Sequence, residues 1–257
     1  MAKLEIRQFI CREDNYGVLV HDPASGATAS IDAPETAAIE KHLKDKGWKL
    51  TDIFTTHHHG DHVEGNLPLK EKYGCTIIAP ANEKVAIPGA DKKVSGGAKF
   101  AFAGREVRVI DTPGHTGGHI SYHIPDEGIA FVADTLFALG CGRVIEGTME
   151  MMWQSLDRLR KLPADTVLYV GHEYTQANAK FALTIEPGNR ALVERAEKIN
   201  AQRSRGEMTL PTTMAEELRT NPFLRPDSKE IRSRLKMEGK SDAEVFGEIR
   251  KRKDSFR

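Results

Sequence analysis

Cysteine is scarce in this sequence of 257 residues: Cys11, Cys75 and Cys141 are odd in number, widely spaced and outside any C-x-x-C pattern. They read as reduced, packed thiols of a reducing compartment. An excess of one charge is also missing. Lys+Arg and Asp+Glu both number 37, so global charge makes no case for nucleic acid or a membrane as partner. No apolar run approaches the roughly 20 residues that span a bilayer. The opening Met1-Ala-Lys-Leu-Glu-Ile-Arg lacks the apolar core of a signal peptide. The expectation is a cytoplasmic protein. Gly/Ser linkers, internal repeats and low-complexity tracts are missing as well. Apolar content of 39% and charged content of 29% are ordinary for a globular chain, long enough for one large domain or one with an appendage.

What is present is a run of seven residues, Thr56-His57-His58-His59-Gly60-Asp61-His62. The apolar, β-branched Ile53-Phe54-Thr55-Thr56 ahead of it reads as a buried strand leaving the core. In a segment still extended, His57, His59 and Asp61 share one face and His58 points away. Gly60 is expected to allow a sharp turn there, after which Asp61-His62 open a new element, a helix. Two imidazoles two residues apart can grip one cation; a carboxylate and an imidazole re-aimed by the turn can grip a second. The ordered H-x-H-x-D-H spacing after a strand argues against a solvent-exposed loop that binds metal adventitiously.

Along the chain, short strands are expected at 4–10, 16–21 and 28–32, then a helix to Lys46 stopped by Gly47. After the histidine run come a helix from 64 or 65 to 73, a strand at 75–79, and mostly loop from Pro80 to Lys99. Strands follow at 100–103, 106–111, 119–124 and 129–134, a helix at 149–162 and a last strand at 166–170. Met149, Met151, Met152 and Trp153 read as core packing rather than a cofactor box. From Tyr174 the chain turns polar, charged and helical. Three more candidate ligands stand where strands end: His115 in Thr112-Pro113-Gly114-His115-Thr116-Gly117-Gly118-His119, Asp134, and His172 after Gly171. Strand-end loops on a rigid sheet are a common seat of chemistry. Alone, each has an ordinary structural reading, a loop histidine or a helix-capping aspartate.

Together, H-x-H-x-D-H, G-H-T-x-G-H, a strand-terminal Asp and a final G-H resemble the metallo-β-lactamase superfamily. Gly171-His172-Glu173-Tyr174-Thr175, Cys141-Gly142-Arg143 and Asn221-Pro222-Phe223-Leu224-Arg225 are similar to the hydroxyacylglutathione hydrolases, or glyoxalase II, within it. The resemblance spans essentially the whole chain. It implies an α/β fold, the αββα sandwich of that superfamily, with a catalytic domain at 1–173 and a C-terminal helical, substrate-binding domain at 174–257. It implies two divalent ions per chain, zinc first, with iron or manganese as alternatives because His/Asp sites accept all three. One would take His57, His59 and His115, the other Asp61, His62 and His172, with Asp134 bridging; Asp61 and Asp134 count as catalytic too. His58 and His119 become supporting residues, His21 and His123 ordinary strand residues, and His42 a surface one.

The implied reaction is hydrolysis of S-2-hydroxyacyl glutathione thioesters, chiefly S-lactoylglutathione to lactate and glutathione, by a hydroxide bridging the metals, as in methylglyoxal detoxification. A thiolate leaves readily, so strong general-acid help is less necessary than for an amide. Arg143, Tyr174, Arg250 and Lys253 are the implied contacts to glutathione, which carries two carboxylates. Read without the resemblance, Arg250-Lys251-Arg252-Lys253 is a solvated basic tail. Ile145 stands where some family members have an aromatic, so the contact from that side chain to the peptide is expected to be absent and affinity or substrate preference to differ. Competing readings are a mononuclear-iron persulfide dioxygenase, another superfamily hydrolase such as a lactonase or nuclease, and a non-enzymatic metal-dependent binding or redox-sensing module.

Overall fold

A computed structural model describes residues Lys3–Phe256. The chain divides into two compact units: Met1–Asp111 with Thr116–Val132, and Thr112–His115 with Ala133–Arg257.

In the first unit β1 (Glu5–Cys11), β2 (Asn15–His21) and β3 (Thr28–Ile31) form an antiparallel meander. Helix α1 (Thr36–Lys46) crosses over to β4 (Asp52–Phe54), which pairs parallel with β3. It ends at Gly47 as expected, in the left-handed conformation (φ 69°), with the glycine N–H returned to Leu43 and Lys44 carbonyls. Helices α2 (Gly60–Val63) and α3 (Asn66–Tyr73) then lead to β5 (Thr76–Pro80), parallel to β4. The expected loop from Pro80 to Lys99 needs correction. Lys92–Val94 is a strand, β6, pairing parallel with Ile78–Pro80; short, exposed and lysine-bearing, it has the character of an edge. Strands β7 (Lys99–Phe102), β8 (Arg105–Asp111), β9 (Ile120–Ile124) and β10 (Ile129–Ala133) run antiparallel, each beside the next.

Period-two alternation in β4 explains the layering. Phe54 meets Phe100 and Phe102 of β7 and Tyr122 of β9, ring centroids 5.1, 5.4 and 5.5 Å away, so within this unit the two sheets face each other. Its neighbour Ile53 points the opposite way, into a cluster with Ile39 and Leu43 of α1 and Leu69 of α3. Burying side chains of this size contributes about 1.5–3 kcal/mol each. The Tyr122 hydroxyl donates to the Thr55 carbonyl at 2.6 Å, pinning the chain just where β4 ends.

The second unit opens with a two-residue-per-strand hairpin, β11 (Leu136–Phe137) and β12 (Gly140–Cys141), too short for hydropathy to reveal. Helix α4 (Met149–Leu159) buries Met152, Trp153, Leu156 and Leu159, so that half of the Met/Trp cluster is core, while Met149 and Met151 are only half-buried. Strand β13 (Val167–Val170) follows, then helices α5 (Thr175–Ile185) and α6 (Arg190–Ser204). Strand β14 (Thr212–Thr213) pairs with β13; helices α7 (Met214–Thr220), α8 (Lys229–Leu235) and α9 (Asp242–Ser255) complete the unit. No helix among the described residues is long and apolar enough to cross a membrane.

Asn221 explains why its motif matters: its amide donates to the Phe137 and Gly140 carbonyls at 3.1 and 3.0 Å, holding the hairpin. Glu217, fully buried, accepts from Arg195, Thr212, the Leu139 N–H and Asn221. Glu217→Ala is therefore expected to cost about 3–5 kcal/mol, because four buried donors would lose their acceptor and Arg195 would keep only the more exposed Glu216, 3.6 Å away, as counter-charge. Glu217→Gln, which keeps an acceptor, should cost less. Urea unfolding followed by circular dichroism is the check, and a wild-type midpoint for the alanine variant would contradict it.

Candidate metal centre

In the first unit the histidine run begins where β4 stops. Thr56 and His57 are fully buried. Asp32, just past β3 in a left-handed conformation (φ 57°), accepts from the Thr56 N–H (2.7 Å), the Thr56 hydroxyl (2.8 Å) and His62 Nδ1 (2.7 Å). With its proton committed to Asp32, the Thr56 oxygen is left to accept from His57 Nδ1 at 3.0 Å. These bonds place a proton of His57 and of His62 on Nδ1, so that in the neutral tautomer Nε2 is the acceptor nitrogen of each ring, the one a cation would use. His57 Nε2 lies 3.2 Å from His59 Nδ1. Two nitrogens about 2.0–2.1 Å from a tetrahedral zinc stand about 3.3 Å apart, so the spacing fits a shared cation.

Asp61 has its carboxylate held by the Asn15 amide at 3.0 Å and lies 3.7 Å from His62 Nε2. His58 turns away as alternation requires, toward Glu83 at 2.9 Å. His119 is buried and stacks on His57 with centroids 4.9 Å apart. The role expected of Gly60 is corrected. It is the first residue of α2, and a Cβ there would meet nothing within 4 Å. The chain turns by passing from extended His59 (ψ 144°) into that helix, a change any residue could make.

The second unit assembles its own three. His115 Nδ1 donates to the Arg143 carbonyl at 2.9 Å, which again leaves Nε2 for a ligand. That Nε2 is 3.4 Å from Asp134 Oδ2, and His172 Nε2 is 3.2 Å from the same oxygen. All three residues are buried. One carboxylate oxygen thus stands between two imidazole donors, again at the edge lengths of a coordination polyhedron. Gly142 makes this possible: a Cβ there would lie 1.8 Å from the Asp134 carbonyl oxygen and 3.4 Å from His115 Nδ1. The His172 ring lies flat against Tyr174, 4.8 Å between centroids and 1° between planes.

Beside these residues, in the same unit, runs a cleft of about 390 Å³ lined by all four expected substrate contacts, Arg143, Tyr174, Arg250 and Lys253, with Phe137 and Cys141. The basic tail is not uniformly solvated. Lys251 and Arg252 are exposed, whereas Arg250 is 4% exposed, donating to the Cys141 carbonyl (2.8 Å), pairing with Asp254 (3.0 Å) and lying over Phe223. Lys253 stands over the Phe181 and Phe256 rings, and burial first, then the Arg250 charge, push its pKa below the ordinary lysine value. Burial drives the Cys141 thiol up to about 11 despite the neighbouring Arg250. Asp32 and Asn15 escaped the sequence reading, because an Asp at a strand end and an Asn in a turn are ordinary; only their three-dimensional partners distinguish them.

Residues 10–172 match the metallo-beta-lactamase superfamily, and residues 173–256 match the hydroxyacylglutathione hydrolase C-terminus. A hydroxyacylglutathione hydrolase of Rhizobium meliloti (strain 1021) is 61% identical over 256 residues, covering 100% of each chain. The chain belongs to the hydroxyacylglutathione hydrolase family. Its counterpart in Brucella abortus (strain 2308) is 60% identical over 254 residues, with 99% of each chain covered. Among solved structures, ETHE1 from Myxococcus xanthus superposes with a TM-score of 0.70 at 26% identity, covering 98% of this chain and 92% of that one. The BLEG-1 B3 metallo-beta-lactamase gives 0.65 at 17% identity, covering 86% and 100%. The fold is the metallo-β-lactamase fold, with the C-terminal helices of the hydroxyacylglutathione hydrolase family, as expected.

The overlap at Gly142 yields a prediction. Gly142→Ala must push the Asp134 backbone away, and overpacking of this kind costs about 1–3 kcal/mol. Thermal unfolding should move down accordingly; an unchanged melting curve would mean that the 134–142 segment yields freely.

Proposed function

We infer that this chain hydrolyses S-2-hydroxyacyl glutathione thioesters, S-lactoylglutathione foremost, to the hydroxy acid and glutathione. The observation that carries this is the 61% identity over full length to a hydroxyacylglutathione hydrolase, with the C-terminal family match at 173–256. The meeting of the two family matches at residues 172 and 173 supports dividing the chain into catalytic residues 1–173 and substrate-binding helices 174–257. Cytoplasmic methylglyoxal detoxification is the proposed setting.

The donors fit two divalent ions, zinc being the ion proposed. His57, His59 and His115 would hold one, Asp61, His62 and His172 the other, and Asp134 would serve both. The 3.2–3.4 Å donor spacings found separately in each unit support this. Such ions, when bound, bring the pKa of a coordinated water toward neutrality and polarise a carbonyl oxygen. The remaining work belongs to the protein. Asp32 and the Arg143 carbonyl hold ligand imidazoles in one tautomer. Asn15 aims the Asp61 carboxylate. In the cleft, Arg143 and Lys253 bring cations to a substrate with two carboxylates, and Tyr174, stacked on His172, spans metal ligand and peptide site. Arg250 contributes its charge from a buried position on the cleft wall.

The test of the reaction is turnover of S-lactoylglutathione by purified protein with metal measured in parallel. About two metal equivalents and robust hydrolysis are expected. Full occupancy without turnover of any thioester would overturn the reading.

Lys253→Ala tests the substrate end. A charge-assisted hydrogen bond contributes roughly 1.5–3 kcal/mol, so kcat/KM should fall at least about tenfold. The loss should lie in KM, since a carboxylate remote from the thioester is held alike in ground and transition states. Metal content should not change, and a thioester lacking the glutathione peptide should not distinguish the two proteins. An unaltered KM would remove Lys253 from the substrate site.

A further inference from the structure

Glu83 belongs to the irregular segment between β5 and β6. Its neighbours Asn82 and Lys84 are exposed, yet its side chain is 2% exposed. Three donors converge on it in the first unit. His58 Nδ1 reaches Oε2 at 2.9 Å, the Thr116 hydroxyl donates to Oε1 at 2.5 Å, and the Gly118 N–H donates to Oε2 at 3.2 Å. The approach is close on the backbone side too: a Cβ on Gly118 would lie 2.3 Å from the Glu83 nitrogen and 2.4 Å from the Asn82 carbonyl carbon. Gly118 is thus required because the 82–83 peptide lies directly against it.

The partners' places in the sequence give this contact its meaning. His58 stands between His57 and His59. Thr116 and Gly118 stand between His115 and His119. A single buried carboxylate therefore fastens the run carrying the first pair of imidazoles to the segment that follows His115. The loop bearing Glu83 has no regular hydrogen-bonded structure of its own to make such a contact incidental, and a glutamate on an exposed loop would ordinarily be solvated. Burying it among three donors is worthwhile where their exact placement matters, as it does around a metal site.

The geometry points to Glu83 as a positioning residue of the metal centre, setting the His57–His59 run against the 116–118 segment through His58, Thr116 and Gly118. This rests on the ligand assignment given under Proposed function. A merely structural anchor would lower stability when removed and leave bound metal alone; a positioning residue changes the affinity and geometry of the site.

The experiment compares wild type, Glu83→Ala, Glu83→Gln and, as a destabilised control, Leu43→Ala from the outer helical layer. Zinc affinity is measured by chelator competition and ligand geometry by the visible spectrum of the cobalt(II)-substituted protein. Steady-state kinetics on S-lactoylglutathione at saturating zinc complete the set. Glu83→Ala is expected to bind zinc about 10–100-fold more weakly, with an altered cobalt spectrum and a loss in kcat rather than KM. Glu83→Gln, which keeps one acceptor oxygen, should fall at the low end, about tenfold. Leu43→Ala should lose stability and keep wild-type affinity. If Glu83→Ala does not fold, Glu83→Gln decides alone. Wild-type affinity and spectrum in the glutamate variants would overturn the positioning role, while a wild type that neither binds two metals nor turns over the thioester would instead overturn the reading it rests on.

Discussion

The candidate metal ligands of the first unit depend on Asp32. One carboxylate, in a left-handed backbone conformation that asparagine and aspartate tolerate better than most residues, receives the Thr56 amide and hydroxyl and the His62 ring. Each buried donor left unmatched would cost about 1–3 kcal/mol, so the carboxylate is as much a requirement of folding as of chemistry. Through Thr56 its influence passes to His57. The result is that, in the neutral rings, the single ring proton sits on Nδ1 and Nε2 is left as the acceptor nitrogen, a choice of tautomer made by hydrogen bonds rather than by metal.

The second unit reaches the same end with different means. There the ring of His115 is fixed by a main-chain carbonyl, that of Arg143, and the space for it is created by the missing side chain at Gly142. The neighbouring hairpin is held by Asn221 and, through Leu139, by Glu217. Residues far along the helical part of the sequence thus determine where Phe137 and Cys141 stand, which is why the cleft and the C-terminal helices form one architectural problem.

Legibility in the sequence followed locality. H-x-H-x-D-H could be read because its residues are close neighbours along the chain, at the end of an extended segment and in the first turn of α2, and the stop of α1 because a left-handed glycine is a local event. His58 turning away from its neighbours follows from the same alternation. By contrast, β6 hid behind two lysines, and β11 and β12 are shorter than any periodicity can register. Arg250 looked like part of a charged tail because its burial is decided by Cys141 and Phe223, both distant in sequence. Asp32, Asn15 and Glu83 carry no signature of their own; each is recognisable only by the groups it receives or holds. Gly60 is the reverse case, a glycine whose presence in the motif suggested a constraint that the backbone does not impose.

Cys141 has a consequence for the chemical endurance of the cleft. It lines the same cleft as Lys253 and Tyr174, where a thioester substrate would lie under the proposed function. A thiol is nucleophilic only as thiolate, and one held near pKa 11 is ionised to only about one part in ten thousand at neutral pH. So small a thiolate fraction disfavours transthioesterification and mixed-disulfide formation at this wall. A sulfur atom can be used there purely for its size and polarisability, without opening a route by which the protein acylates or caps itself.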